Sequence, residues 1–250
     1  MAVYCNHCRN GSLIMKKICI SILVSMLIAC SSHYNNTDTN EKNLHMTKNT
    51  FIQEKKPMEL VTIDLSHHEI LKQRAKEVKF PLEAKTQKFI QEIREFLATL
   101  KNPAGLAAPQ VGVSLRIIII QVPPEVKEIR KDVYDTLPPT VLINPFYTPI
   151  AKQSKNKDWE GCFSVPNKMG EVYRYNAIKY EAYTPDGKKI TGVAKGFLAR
   201  LIQHEVGHLN GELYIDLLSS DCRYGSQDEM LKIRKKEMEK YNPSRPKKLI

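Results

Sequence analysis

His204-Glu205-Val206-Gly207-His208 is the densest run of chemistry-bearing residues in the chain. On a helix, positions i and i+4 share one face, so both imidazoles can reach a single metal ion. Glu205 is rotated around the helix and would face a water on that ion rather than the ion itself. The flanking residues predict the helix. Phe197, Leu198, Leu201, Ile202, Val206 and Leu209 form an apolar stripe between Lys195 and Asn210, and Gly211 suits the C-terminal cap. A catalytic site of this kind needs a third protein ligand and one open position. Three residues stand as candidates. Position 214 would hold a His in the run H-E-x-x-H-x-x-G-x-x-H; Gly211 fits that run, but Tyr214 occupies the final place. Glu229 lies 21 residues beyond His208, in a charged segment. Cys162, within Trp159-Glu160-Gly161-Cys162-Phe163-Ser164-Val165-Pro166, would add a thiolate to the two imidazoles and complete a tetrahedral site.

Two further runs accompany the helix. Pro103-Ala104-Gly105-Leu106-Ala107-Ala108-Pro109-Gln110 is similar to G-x-G-[IL]-A-A-x-Q, and Glu160-Gly161-Cys162-Phe163-Ser164 matches E-G-C-x-S in full. Gln203 to His208 matches Q-H-E-x-D-H except at Gly207. In order and spacing these three motifs resemble the peptide deformylase family, over roughly Leu60 to Ser219. The resemblance implies that Cys162, His204 and His208 hold Fe²⁺ or Zn²⁺, with water in the fourth position. It implies Glu205 as general base and acid, with the Gln110 amide and the Phe163 backbone N–H donating to the oxyanion. Gly105 and Leu106 would line the substrate strand, an N-formylated peptide adding to the sheet edge there. The departures are local. Gly207 replaces the family's Asp, whose Arg partner falls at Arg174 by position, Pro103 replaces a leading Gly, and Met169 stands where many members carry Arg.

Near the N-terminus, Met15-Lys16-Lys17 and the 12 uncharged residues Ile18–Ala29 read as a signal peptide, too short for a membrane span. Leu27-Ile28-Ala29-Cys30 resembles a bacterial lipobox, which makes Cys30 the lipidated residue and the cell envelope the location. The alternative, an unused signal, leaves the protein cytoplasmic. Cys5-Asn6-His7-Cys8 has no second pair at zinc-finger spacing, and residues 1–14 read as an extension upstream of a start at Met15. The expected organisation is leader 1–29, flexible tether 30–58, catalytic domain 59–220, and a C-terminal helix with basic tail over 221–250.

The 250 residues carry 42% apolar and 26% charged side chains, which excludes disordered, collagen-like and multi-span membrane chains. Cleavage would remove Arg9, Lys16 and Lys17 and no acid, lowering the net charge from +11 to +8. The bases are scattered, with short clusters at Arg234-Lys235-Lys236 and Lys247-Lys248, so no nucleic-acid partner is expected. After cleavage Cys162–Cys222 is the one disulfide available beside a lipidated Cys30, and an exported domain not stapled by disulfides is expected.

Elsewhere the periodicity predicts a helix over Pro81–Lys101, strands at Leu115–Val122 and Thr140–Ile143, and a last helix at Asp228–Lys240. Glu171–Tyr183 and Lys188–Ala194 read as a hairpin around Thr184-Pro-Asp-Gly187. The expected fold is α+β, with antiparallel sheets packed around a central HExxH helix, in a monomer. Two other functions stay open at this level. One is an HExxH metallopeptidase; the other is a degenerate deformylase that binds N-termini as an envelope lipoprotein.

Overall fold

A computed structural model describes residues 57–150 and 155–241. The leader, Cys30, most of the tether and the basic tail lie outside the described residues. Helix α1, Ala84–Thr99, buries Thr86, Ile90, Ile93 and Leu97 along one face, as its apolar spacing predicts. Strand β1 is Gly105–Ala107 and β2 is Ile117–Val122. A short helix, α2, covers Val126–Ile129, and β3 runs from Leu137 to Pro149. Then come β4, Lys155–Cys162, β5, Val165–Tyr175, β6, Ala177–Tyr183, and β7, Lys189–Lys195. The HExxH helix is α3, Gly196–Leu209; β8 is Tyr224–Ser226 and α4 is Gln227–Tyr241.

Two antiparallel sheets result, a five-stranded one in the order β1-β2-β3-β6-β7 and a three-stranded one in the order β4-β5-β8. The run Ile117-Ile118-Ile119-Ile120 shows why the larger sheet reads as continuous apolar sequence. Ile118 and Ile120 pack with Ile202, Val206 and Leu209 of α3, while Ile117 and Ile119 pack with Ile90, Ile93 and Leu97 of α1. Both faces are therefore covered, and side chains of either parity must be apolar.

Three expectations need correction. The predicted strand Glu171–Tyr183 is two strands in different sheets: β5 pairs β4, and β6 pairs β3 and β7, with the change at Asn176. Thr140–Ile143 is the middle of a longer strand containing four prolines. They are tolerated because the first half of β3 pairs only with β2 and the second half only with β6, leaving one open side throughout most of the strand. Finally, β1, β4 and β8 were not anticipated. β4 opens on Lys155-Asn-Lys-Asp158, which has no apolar alternation, and exists through its long ladder with β5.

Candidate active site

The end of β4 and the middle of α3 meet. The ladder between β4 and β5 is irregular between Gly161 and Cys162, where Cys162 faces Val165. Such a bulge re-aims the side chain at the strand tip. Cys162 Sγ lies 3.3 Å from His208 Nε2, which lies 3.3 Å from His204 Nε2. The three ligand atoms all fall within 4.8 Å of one another, and no other such group occurs among the described residues. Of the three candidate third ligands, Cys162 is therefore the one brought to the histidines. Tyr214 instead stacks beside the His204 ring at 6.3 Å, and Glu229 belongs to α4. Cys162 and Cys222 are both free thiols, so the disulfide does not form.

The donor set fits a divalent cation. Two imidazole nitrogens and a sulfur, the donor types of a tetrahedral metal site, converge at one place. Burial disfavours a charged His204, yet the Cys162 sulfur and the Glu160 carboxylate outweigh it and push its pKa up to about 10. The site thus favours positive charge at His204 Nε2. His208, buried and facing His204, is held well below its usual value and stays neutral, with its lone pair available.

Glu160 orders this arrangement. His204 Nδ1–H donates to Glu160 Oε2 at 2.9 Å, which leaves Nε2 as the nitrogen that faces His208 and could bind a metal. Arg174 donates through Nε and Nη2 to both Glu160 oxygens at 3.0 Å, and Arg200 Nη1 donates to Oε1 at 2.7 Å. Burial alone would raise the Glu160 carboxyl, but Arg174 and His204 hold it well below the usual carboxylate range. Arg174, the position that the resemblance pairs with the missing Asp, is thus held by Glu160. Gln203 fastens the helix to the small sheet, accepting from Tyr175 N–H at 2.9 Å and donating to its carbonyl at 2.8 Å.

Glu205 is 3% exposed, and its Oε2 has no hydrogen-bond partner. Burial pushes its carboxyl up to about 7, His204 opposing and Glu160 adding to the shift. The carboxylate lies directly against Gly105: a Cβ there would sit 2.7 Å from Glu205 Cδ. Gly105 therefore makes room first for the Glu205 carboxylate. Gln110 is 2% exposed; its Oε1 accepts from Ala107 N–H at 2.9 Å and its Nε2 points to Ser164 Oγ at 3.2 Å and Cys162 Sγ at 3.4 Å. Phe163 follows Cys162 at the turn between β4 and β5, placing its backbone beside the ligands. Leu106 is fully buried in the core beside α1, so only its backbone can face a peptide. Met169 also points inward, against Trp159 and Met230.

The residues without an expected role are Glu160, Arg174 as its partner, Arg200 and Gln203. Arg200 carried a readable signal: it lies four residues before His204, a charge within the apolar run Phe197–Ile202.

A partly buried thiol, two imidazoles one turn apart and an adjoining buried carboxylate with one unpartnered oxygen define a metal-dependent hydrolase. Residues 60–224 match the sequence model of the polypeptide deformylases. Peptide deformylase 2 of Rickettsia conorii is 41% identical over 187 residues, spanning 74% of this chain and 92% of that protein. Peptide deformylase 1 of Nitrosomonas europaea is 40% identical over 141 residues, spanning 56% and 77% respectively. The fold is similar to the Met-Ala-Ser-bound class I type b peptide deformylase of Acinetobacter baumannii, at TM-score 0.55 and 29% identity over 64% of this chain and 98% of that one. It is also similar to the Synechococcus elongatus peptide deformylase in complex with actinonin, at TM-score 0.55 and 30% identity over 74% and 90%. The chain belongs to the polypeptide deformylase family, a family of metal-dependent amide hydrolases.

Proposed function

We propose that the chain removes the N-formyl group from formyl-methionyl peptides, as a monomer, with Fe²⁺ or Zn²⁺ held by Cys162, His204 and His208. One observation carries this reading. The buried Glu205 oxygen without a partner stands on the same helical turn as the converging ligand atoms. A bound metal of this type supplies a nucleophilic water at neutral pH and polarises the carbonyl under attack. Glu205, with its pKa pushed up to about 7, accepts the proton of the attacking water as the carbon–oxygen bond forms. It returns that proton to the departing amine as the carbon–nitrogen bond breaks, and formate and a free amino terminus leave. The Gln110 amide, already aimed at the Cys162 sulfur, and the Phe163 N–H donate to the oxygen that becomes negative. β1 is the outer strand of its sheet, so an extended peptide can add to it, and Gly105 presents no side chain to block the approach. The Met-Ala-Ser bound to the Acinetobacter relative supports a methionine-first peptide.

The full chain loaded with Fe²⁺ or Zn²⁺ is expected to release formate from formyl-Met-Ala-Ser. A chelator should remove that activity and added metal should restore it. Absence of formate with either metal would sink the assignment.

The leader and Cys30 support an envelope location, the domain tethered to the membrane by lipid. Cys30→Ala is expected to shift the protein out of the membrane fraction of expressing cells. A wild-type chain found wholly in the cytosol, with residues 1–29 intact, would refute the anchor.

A further inference from the structure

Gly207 lies inside a buried helix, and the end of that helix explains what occupies the space it leaves. Gly211 takes the left-handed conformation at φ 79°. Its N–H donates to His208 O at 3.2 Å, and the Glu212 N–H donates to Gly207 O at 2.9 Å. This pair of bonds folds residue 212 back over residue 207, where the two side chains normally meet. Position 207 has no side chain. A Cβ there would lie 3.3 Å from Glu212 Oε1, so the carboxylate of residue 212 fills the place where a residue-207 side chain would begin.

The same Glu212 Oε1 lies 3.6 Å from Arg174 Nη1, the edge of the guanidinium that Glu160 does not use. Charge balance gives this contact weight. Arg174 and Arg200 are each 5% exposed and both lean on Glu160, which also accepts from His204. One buried carboxylate thus faces two buried guanidiniums, and Glu212 brings a second carboxylate to Arg174. Glu212 remains partly in water, so its desolvation cost is small.

We propose that Glu212 is a positioning residue for the metal site. It holds the free edge of Arg174, which fixes Glu160, which in turn holds His204 at Nδ1. The inference rests on the assignment of Cys162, His204 and His208 as ligands. It can be tested by Co²⁺ affinity and the visible spectrum of the full chain, neither of which requires turnover. Glu212→Gln is expected to weaken Co²⁺ binding by about tenfold, the low end for partners behind metal ligands. It should also alter the Co²⁺ bands and lower kcat while leaving KM in place. The decisive variant moves the carboxylate: Gly207→Asp should recover Co²⁺ affinity in a Glu212→Ala background, yet weaken it when Glu212 is present, because two carboxylates then crowd one place. A purely structural role would give Gly207→Asp the same effect in both backgrounds. That result, or wild-type Co²⁺ affinity in Glu212→Gln, would overturn the proposal. A wild-type chain that binds Co²⁺ but releases no formate would count against the deformylase reading alone, and the affinities would still decide Glu212. A wild-type chain that takes up no Co²⁺ would overturn both.

Discussion

Glu205→Gln is expected to lower kcat for formate release by about 10²–10⁴-fold, the usual contribution of a positioned general base and acid. Bound metal should stay at the wild-type level, since Cys162, His204 and His208 are untouched by the change. The substitution is nearly isosteric, so the space against Gly105 remains filled and the helix keeps its packing. What disappears is the lone pair that takes a proton. The wild-type carboxylate suits that task because burial raises its pKa to about 7, near the working pH, and because Oε2 has no competing partner. Metal analysis and steady-state kinetics on the same preparation separate the outcomes. Loss of metal together with activity would show that Glu205 maintains the site, and full activity in the Gln variant would remove it from the chemistry.

The second large effect is on Glu160→Gln. Arg174 and Arg200 would face a neutral amide in place of their shared carboxylate, and His204 would lose a charged acceptor. Breaking a buried ionic arrangement from one side costs about 3–5 kcal/mol, because the remaining charges stay buried without their shared partner. Metal affinity should fall by about 10–100-fold through the freed His204 ring. Urea unfolding of the metal-free variant and a metal-competition titration measure the two effects separately. A variant with the wild-type urea midpoint and wild-type metal retention would show that Glu160 supports neither. The pH dependence has a definite sign. The folded Glu160 carboxyl titrates far below its unfolded value of about 4.3. Its contribution is therefore complete above that unfolded value and is lost as pH falls below it towards the folded one. Wild-type stability should decline on acidification through that window, and Glu160→Gln should lack this part of the decline.

The reacting groups were legible because they obey local rules. The four-residue spacing of His204 and His208 places them on one helical face wherever that helix lies. Gly211 marked the helix end, and the E-G-C-x-S run marked Cys162 as the third ligand through family resemblance. The two faces of β2 were legible in part, since a run of isoleucines announces a buried strand. β4 was not: its first four residues carry charges and amides, and the ladder with β5 makes it a strand. The division at Asn176 was equally hidden, because Glu171–Tyr183 has strand-like composition throughout and only its different partners separate the halves.

The chemical identities at the site, a thiol, two imidazoles, a carboxylate and an amide, follow from short motifs. Their supports do not. Glu160 meets Arg174 across 14 residues and Arg200 across 40, and neither separation has a local geometry that implies contact. Glu212 reaches Arg174 because a helix end turns back over a glycine while β5 passes beside it. Backbone periodicity dictates which side chains share a face of one element. Which charges meet between elements depends on how the sheets and α3 pack, and burial then makes those meetings strong enough to hold the converging thiol and imidazoles in place.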